Sequence, residues 1–169
     1  MNKKVLKEIL SYVIIIVIVI LIRTFLVTPV KVNGNSMDPT LKHGEIMILN
    51  KIKYKTTKIK RFDIVVIKYN DELLIKRVIG LPGDKIEFKD NTLYVNDEKV
   101  KENFKHDKTE DFSLSSLEYE FVPNGKYFVM GDNRDDSLDS RIFGPVEKER
   151  ILGSANLVLF PFTKIGIKK

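Results

Sequence analysis

The chain opens with a long apolar stretch that limits what its N-terminus can form. Three lysines at positions 3, 4 and 7 precede the run Ile9–Ile22, and after Arg23 the apolar character resumes until Val27. The 19 residues Ile9–Val27 approach the roughly 20 that a helix needs to cross a bilayer. Arg23, near the outer end, can extend its guanidinium to the headgroups. The pattern therefore predicts a single transmembrane helix.

Two other structures compete for the same stretch. A cleaved signal peptide would place a small-residue site after the apolar run, but RTFLVTPVKV is bulky, branched and basic there. A buried core helix is disfavoured because the run has no polar face. We therefore expect an uncleaved anchor at the cell membrane. By the positive-inside rule, residues 1–28 form a cytoplasmic tip and the anchor, and residues 29–169 form an extracytoplasmic domain.

The residue inventory narrows the chemistry of that domain. The 169 residues include no cysteine, which excludes disulfides, thiolate metal sites and a cysteine nucleophile. The two histidines, His43 and His106, lie in polar, lysine-rich surroundings and are expected to be exposed, so a Ser-His-Asp triad is poorly supplied. The formal net charge of +6 is spread along the chain, which favours a solvated surface over a nucleic-acid site.

From Val30 onward the sequence has the pattern of a mostly β domain. Short apolar runs rich in Ile, Val, Phe and Tyr alternate with turn signals. The predicted strands are IMILN, DIVVIKY, LLIKRVIG, DKIEF, TLYV, YFVMG and ANLVLF. The clearest hairpin is KIEFKDNTLYVNDEKV, with Asp90 and Asn91 near its turn. Residues 101–120 are polar and are predicted to be a surface excursion.

One serine lies in a segment that can expose a hydroxyl. In VNGNSMDPTLKHGE, Ser36 follows the turn-forming triplet Asn33–Asn35 and precedes Pro39. A serine is a weak nucleophile unless a neighbouring base removes its proton. Judged alone, Ser36 is better interpreted as an ordinary turn serine.

A second segment, DELLIKRVIGLPGD, offers a base. Alternation along a strand places Lys76 with Leu74 and Val78, and places Arg77 with two isoleucines. One of the two cations must therefore lie among apolar side chains. A lysine can lose its proton there, whereas an arginine stays charged, so Lys76 is the better base candidate. The alternative is a Lys-Arg pair on an edge strand that guards against aggregation.

A third segment, GDNRDDSLDSRIFGPV, is dense in acids, serines and arginines. Its acids do not follow the spacing of a calcium loop, and no distal glutamate completes one. Arg134 and Arg141 instead predict internal ion pairs that make the loop rigid. A buried lysine amine needs a hydrogen-bond partner, and a serine hydroxyl of this loop can supply it.

Taken in order, these segments resemble the type I signal peptidases, or leader peptidases. That family combines an N-terminal anchor with blocks like NSMDPTL, RFDIVVI, LLIKRVIGLPGD and GDNRDDSLDSRIFG, and all four occur here over essentially the whole chain. The resemblance implies a signal-peptidase-like β domain of antiparallel sheets. The short stretch after Val100 is similar to that of the compact, Gram-positive-type members, which lack a large second domain.

The resemblance also implies roles for individual residues. Ser36 would be the nucleophile and Lys76 its general base, with Ser137 hydrogen-bonded to the lysine amine. Some members place a serine two residues before the nucleophile, where this chain has Gly34, so the oxyanion hole is expected to use the backbone N–H groups of Ser36 and Gly34. The other implied residues are Met37, Leu74 and Ile75 for substrate binding, and Asp132, Asp139 and Arg141 for structure.

The implied reaction is removal of signal peptides from exported preproteins, after small residues, by a monomeric serine endopeptidase at the lipid bilayer that uses no cofactor or metal. Two other functions remain open. A self-cleaving repressor-type peptidase would carry a DNA-binding helix-turn-helix where this chain has its apolar run. In a non-catalytic, membrane-tethered β module, Ser36 and Lys76 would be incidental.

Overall fold

The fold joins an N-terminal helix to two antiparallel sheets. The computed structural model describes residues 3–168, without the side chains of residues 22–25, so the Arg23 side chain lies outside the described residues. The helices are α1 (Lys3–Phe25), α2 (Lys53–Thr56) and α3 (Ser140–Phe143). The strands are β1 (Val27–Lys31), β2 (Ile46–Asn50), β3 (Ile64–Tyr69), β4 (Glu72–Gly80), β5 (Ile86–Lys89), β6 (Thr92–Val95), β7 (Glu98–Val100), β8 (Phe112–Ser113), β9 (Lys126–Met130), β10 (Val146–Glu147), β11 (Ile151–Phe160) and β12 (Gly166–Ile167).

Helix α1 ends before the predicted limit at Val27, because the chain there joins a sheet. Strand β1 pairs with β2 along its whole length and spans the boundary predicted between residues 28 and 29. Pro29 fits this strand because β1 lies at the edge of the sheet, where a missing N–H costs no ladder bond. Within residues 3–168, no helix combines the length and the apolar character that a membrane crossing requires.

The larger sheet contains eight strands in the order β1-β2-β11-β3-β4-β9-β10, with β12 paired to β11. All of its pairs are antiparallel, and each of the seven predicted runs overlaps an observed strand of this sheet or the other. The prediction of a mostly β, antiparallel fold is therefore confirmed.

The smaller sheet has the order β7-β6-β5-β8 and contains the predicted hairpin. Asp90 and Asn91 form its turn with φ of 46° and 59°, the left-handed values that two-residue hairpins need. The sheet packs on the larger one through a buried cluster in which Ile86 and Phe88 meet Phe128 and neighbouring residues of β4 and β9. A second cluster, which we call the main core, is formed largely by β2, β3 and β11.

Residues 101–120 are more ordered than predicted. They include β8 and a 3-10 turn at Leu114–Leu117, and both Thr109 and Leu114 are buried. His106, which was expected to be exposed, is mostly buried and lies 3.4 Å from the Glu102 carboxylate. The segment therefore covers part of the larger sheet, in contrast to the predicted surface excursion.

Candidate active site

Ser36 lies in the loop between β1 and β2, and the side chains of nearby residues in that loop are buried in the protein interior. The Asp38 N–H donates to the Asn35 carbonyl at 2.9 Å and closes a turn around the serine. The side chains of Met37 and Leu41 are buried in the main core. Ser36 itself is half-buried. The loop thus holds a serine at the surface while two buried residues keep it in place.

Lys76 lies in the middle of β4, opposite Val65 of β3, and its side chain is only 1% exposed. Its Nζ donates to Ser137 Oγ at 3.2 Å and forms no ion pair among the described residues. Burial lowers the pKa of Lys76 from 10.5 to about 8, and Asp139 opposes this shift while Arg141 adds to it. A neutral amine is therefore available at mildly alkaline pH.

Ser137 belongs to the loop between β9 and α3, which the buried carboxylate of Asp139 organises. This carboxylate accepts hydrogen bonds from the Gly131 N–H at 3.0 Å and from the Arg141 N–H at 3.1 Å. It also accepts from the Arg141 guanidinium at 3.0 and 2.9 Å. One carboxylate therefore ties the end of β9 to the start of α3 and fixes the loop from which Ser137 extends.

Gly131 is the point where the Ser36 loop and the Ser137 loop meet. A Cβ at this position would overlap both Ser137 Oγ and the Ser36 carbonyl oxygen, so only glycine permits the two atoms to approach so closely. The Asn133 N–H donates to the same Ser36 carbonyl at 3.1 Å. The structure thus places the Ser36 backbone carbonyl, the Ser137 hydroxyl and the Lys76 amine in one region. Among the described residues, the Ser36 hydroxyl makes no hydrogen bond.

Arg77, the neighbour of Lys76, is also buried, and an acid partner explains why. Its Nε and Nη2 donate to the two carboxylate oxygens of Asp132 at 2.8 and 2.6 Å, and both side chains are 0% exposed. The guanidinium also donates to the Phe62 carbonyl at 3.0 Å and stacks 3.9 Å from the Phe104 ring centroid. Sequence reasoning missed this pair. The available signal was an arginine that shares a strand face with two isoleucines.

Arg134 joins the Ser137 loop to the covering segment. Its Nε donates to the Gly131 carbonyl at 3.0 Å, and its Nη groups donate to the Thr109 hydroxyl and the Glu102 carboxylate. Arg141 forms the predicted ion pair inside the loop, with Asp139, whereas Arg134 pairs with Glu102 outside the loop. The Arg134 guanidinium fixes the carbonyl of the same glycine that separates Ser36 from Ser137.

The backbone donors near Ser36 differ from the expected pair. The Gly34 N–H donates to His43 Nδ1 at 3.1 Å, so in this structure it is not available to an oxyanion. The Ser36 N–H has no acceptor among the described residues. His43, exposed as expected, therefore has a role in this loop that sequence reasoning did not assign. No local pattern links it to a glycine nine positions earlier.

The three predicted substrate-binding residues lie in different environments. Leu74 lines a groove of about 660 Å³ between β1 and the first half of β4. Ile75 and Met37 are instead buried in the main core. The main-chain edges of β1 and β4 that face this groove have no strand partner among the described strands, because β1 pairs only with β2 and β9 meets β4 only from Arg77 onward.

Comparisons with known proteins add independent information. The family model described as signal peptidase, peptidase S26, matches residues 5–160. Signal peptidase IB of Staphylococcus aureus (strain COL) is 40% identical over 180 aligned positions, which cover 97% of this chain and 94% of that protein. Signal peptidase I of Bacillus licheniformis is 42% identical over 164 positions, which cover 92% and 88%.

A solved structure agrees with these relatives. The crystal structure of a signal peptidase I from Enterococcus faecalis V583 matches with a TM-score of 0.54 and 40% identity, covering 58% of this chain and 97% of that chain. The fold, the family match and the two relatives lead to the same assignment. The chain belongs to the signal peptidase family, peptidase S26, and is a serine protease.

Proposed function

We propose that this chain is a membrane-anchored endopeptidase that removes signal peptides from exported preproteins, with Ser36 as nucleophile and Lys76 as general base. The observation that carries the proposal is the buried Lys76 amine beside the Ser36 loop, which among the described residues has no ion pair and donates only to Ser137. A lysine whose pKa is lowered to about 8 releases its proton at mildly alkaline pH and can act there as a general base.

The reaction follows from these positions. Neutral Lys76 takes the Ser36 hydroxyl proton, and the Ser36 oxygen attacks the scissile carbonyl to give a tetrahedral intermediate. The protonated lysine then gives its proton to the departing amine, which leaves an ester between the signal peptide and Ser36. The Lys76 amine next takes a proton from water, and the water oxygen attacks the ester carbonyl. The bond from the acyl carbon to the Ser36 oxygen then breaks, Lys76 returns the proton to that oxygen, and the signal peptide leaves as a carboxylic acid. Ser137 accepts from the amine and aims it through both steps.

The oxyanion of the tetrahedral intermediate needs donors near the nucleophile. The Ser36 N–H is the first of these, since no group of the described chain occupies it. The Gly34 N–H would serve as the second only after its bond to His43 Nδ1 opens. Substrate binding would therefore have to displace the imidazole from this loop.

The groove beside Leu74 is suited to an extended peptide. Two strand edges that lack a strand partner among the described strands can pair with a substrate chain, while side-chain recesses select alternate residues. Pro29–Lys31 form one side and Glu72–Leu74 form the other. The signal peptide would enter as an added strand that leads to Ser36. The family implies small residues, typically alanine, one and three positions before the cut.

Helix α1 is the proposed anchor, with its N-terminus in the cytoplasm and the β domain on the extracytoplasmic face of the cell membrane. The described apolar side chains from Val5 to Leu21 are exposed and pack against no protein core. An anchor would hold enzyme and membrane-inserted preprotein in one plane and raise their effective concentration. Extraction of the full chain from membranes at alkaline pH tests this part, and release into the supernatant would contradict it.

The catalytic proposal is tested with a purified preprotein. We expect Ser36→Ala and Lys76→Ala to abolish cleavage, whereas Ser116→Ala, on an exposed turn, should leave it unchanged. A mass spectrum of the wild-type reaction should show signal peptide esterified to the peptide that contains Ser36. Full activity of either site variant would refute the dyad.

A further inference from the structure

The connection between β2 and β3 concentrates positive charge. Residues 51–61, KIKYKTTKIKR, contain six cations and no acid, and we call them the basic segment. Two of the cations have carboxylate partners, since Lys53 lies 2.9 Å from Asp63 and Arg61 lies 3.0 Å from Asp84. These two pairs fix the segment to the sheet.

The basic segment forms one wall of a cavity of about 620 Å³. This volume lies within the roughly 300–1,000 Å³ of small-ligand sites. Lys55 and Lys58 line it from the segment and Lys148 lines it from the opposite side, and none of the three forms an ion pair among the described residues. The other lining residues carry no acidic group. Three uncompensated lysines around one cavity are suited to an anion with the charge of a phosphate.

The basic segment is also fixed to the end of helix α1. The Lys51 N–H donates to the carbonyl of Leu26, the residue directly after that helix, at 3.0 Å. The Asn50 side chain accepts from the Lys53 N–H at 3.0 Å, at the start of α2. These bonds place the basic segment where the chain passes from α1 into the β domain.

From this arrangement we propose that the cavity formed by Lys55, Lys58 and Lys148 binds the phosphate of an anionic phospholipid. The inference rests on the anchoring of α1 proposed above, because only then does the basic segment face lipid headgroups. A lysine near an anionic membrane surface strengthens binding by about fivefold. Headgroup binding would hold the β domain against the bilayer and keep β1, the groove edge that directly follows α1, close to a membrane-inserted substrate.

The test places the full chain in nanodiscs of phosphatidylcholine, alone or mixed with phosphatidylglycerol, and measures hydrogen exchange of the basic segment. The variant carries Lys55→Gln, Lys58→Gln and Lys148→Gln. Its matched control carries Lys99→Gln, Lys101→Gln and Lys108→Gln, which remove the same charge from exposed positions in or near the smaller sheet. A third sample adds inorganic phosphate to phosphatidylcholine discs.

We expect phosphatidylglycerol to slow exchange in the basic segment of the wild type and the control by about fivefold or more, and to leave the variant unchanged. Equal exchange in both lipids would overturn the site. If variant and control lose protection equally, then net charge alone explains the slower exchange, and the lipid site is overturned as well. Protection by inorganic phosphate alone would show that the cavity takes a free anion and would refute a lipid site.

Preprotein cleavage in phosphatidylcholine discs separates this inference from the proposed function. The three lysines lie outside the proposed catalytic residues, so we expect the wild type, the variant and the control to cleave equally there and to share one melting temperature. Loss of cleavage in all three forms would contradict the proposed function and not the lipid site. A chain that fails to enter the discs would contradict the anchoring on which the lipid site rests.

Discussion

Lys76 and Arg77 are adjacent cations in one strand, both are buried, and their environments are opposite. Arg77 donates two short hydrogen bonds to Asp132 and lies on the Phe104 ring, so its charge is fully compensated. Lys76 has no ion pair among the described residues and donates to one neutral hydroxyl, that of Ser137. Both cations are buried, and the carboxylate of Asp132 compensates the charge of Arg77 alone among the two.

The difference teaches that the partner, and not burial itself, separates a structural cation from a candidate base. An arginine keeps its proton in any protein environment, so its burial is costly unless a partner such as a carboxylate compensates the charge. A lysine can answer the same burial by losing its proton. One face of the strand thus fixes the loop after β9 through Arg77, and the other face carries the amine that we propose as the base.

Of the substitutions that test this difference between Lys76 and Arg77, replacement of Lys76 should have the largest effect on activity. Lys76→Met keeps the aliphatic bulk and removes the amine, so we expect cleavage to fall by about 10²- to 10⁴-fold. At neutral pH the free energy of unfolding of this variant should exceed that of the wild type by about 3 kcal/mol. The lowering of the Lys76 pKa from 10.5 to about 8 measures the cost of burying the charge, and the variant does not have that cost. Urea titrations and preprotein cleavage report both changes.

The pH dependence of that stability gain gives a check on its cause. Between about pH 8 and pH 10.5 the unfolded chain binds more protons at this lysine than the folded chain. The wild type therefore gains stability as the pH rises through this window, and the advantage of Lys76→Met should shrink. Lys68→Met, at an exposed position of β3, is the control and should change neither quantity. A gain that stays constant with pH would argue against a buried ammonium.

Breaking the Arg77 pair should act on folding. Asp132→Asn leaves the guanidinium buried without a carboxylate, so we expect a loss of about 3–5 kcal/mol of unfolding free energy in urea titrations. Asp97→Asn, which breaks the exposed pair with Lys85, should have no measurable effect. If Asp132→Asn unfolds like the wild type, then compensation by the acid does not explain why Arg77 is buried.

Removing the Ser137 hydroxyl should have the smallest effect of the three. Ser137→Ala deletes the hydrogen-bond partner that aims the Lys76 amine, so we expect kcat to fall about tenfold, with KM nearly unchanged. Stability should hold, because Ser137 lies on a loop that Asp139 fixes independently. A rise in KM without a fall in kcat would assign Ser137 to substrate binding instead.

Much of the fold could be predicted because its signals are local. The alternation in β4 and the Asp90–Asn91 turn specify a strand and a hairpin from neighbouring residues alone. Strand β1 was not predicted, since an apolar stretch that continues from α1 becomes a strand only through its pairing with β2. Residues 101–120 were not predicted for a similar reason, because Glu102 finds its partner Arg134 32 positions away.

The candidate site divides in the same way. Ser36 and Lys76 could be proposed because their short blocks, taken in order, resemble those of the signal peptidases, although each block alone favoured a structural role. The hydrogen bond between Gly34 and His43, and the pair between Arg77 and Asp132, join segments whose approach depends on the folded loops. These contacts could not be predicted because their partners are separated along the chain, and not because the contacts are weak.

The neutral Lys76 amine is the central claim, and the pH dependence of kcat/KM for preprotein cleavage tests it most directly. Because burial lowers the pKa of Lys76 to about 8, kcat/KM should rise tenfold per pH unit below that value and level off above it. The rise reflects the growing fraction of free amine in the unliganded enzyme. A profile that is flat through this range, or that falls as the pH increases, would contradict the account.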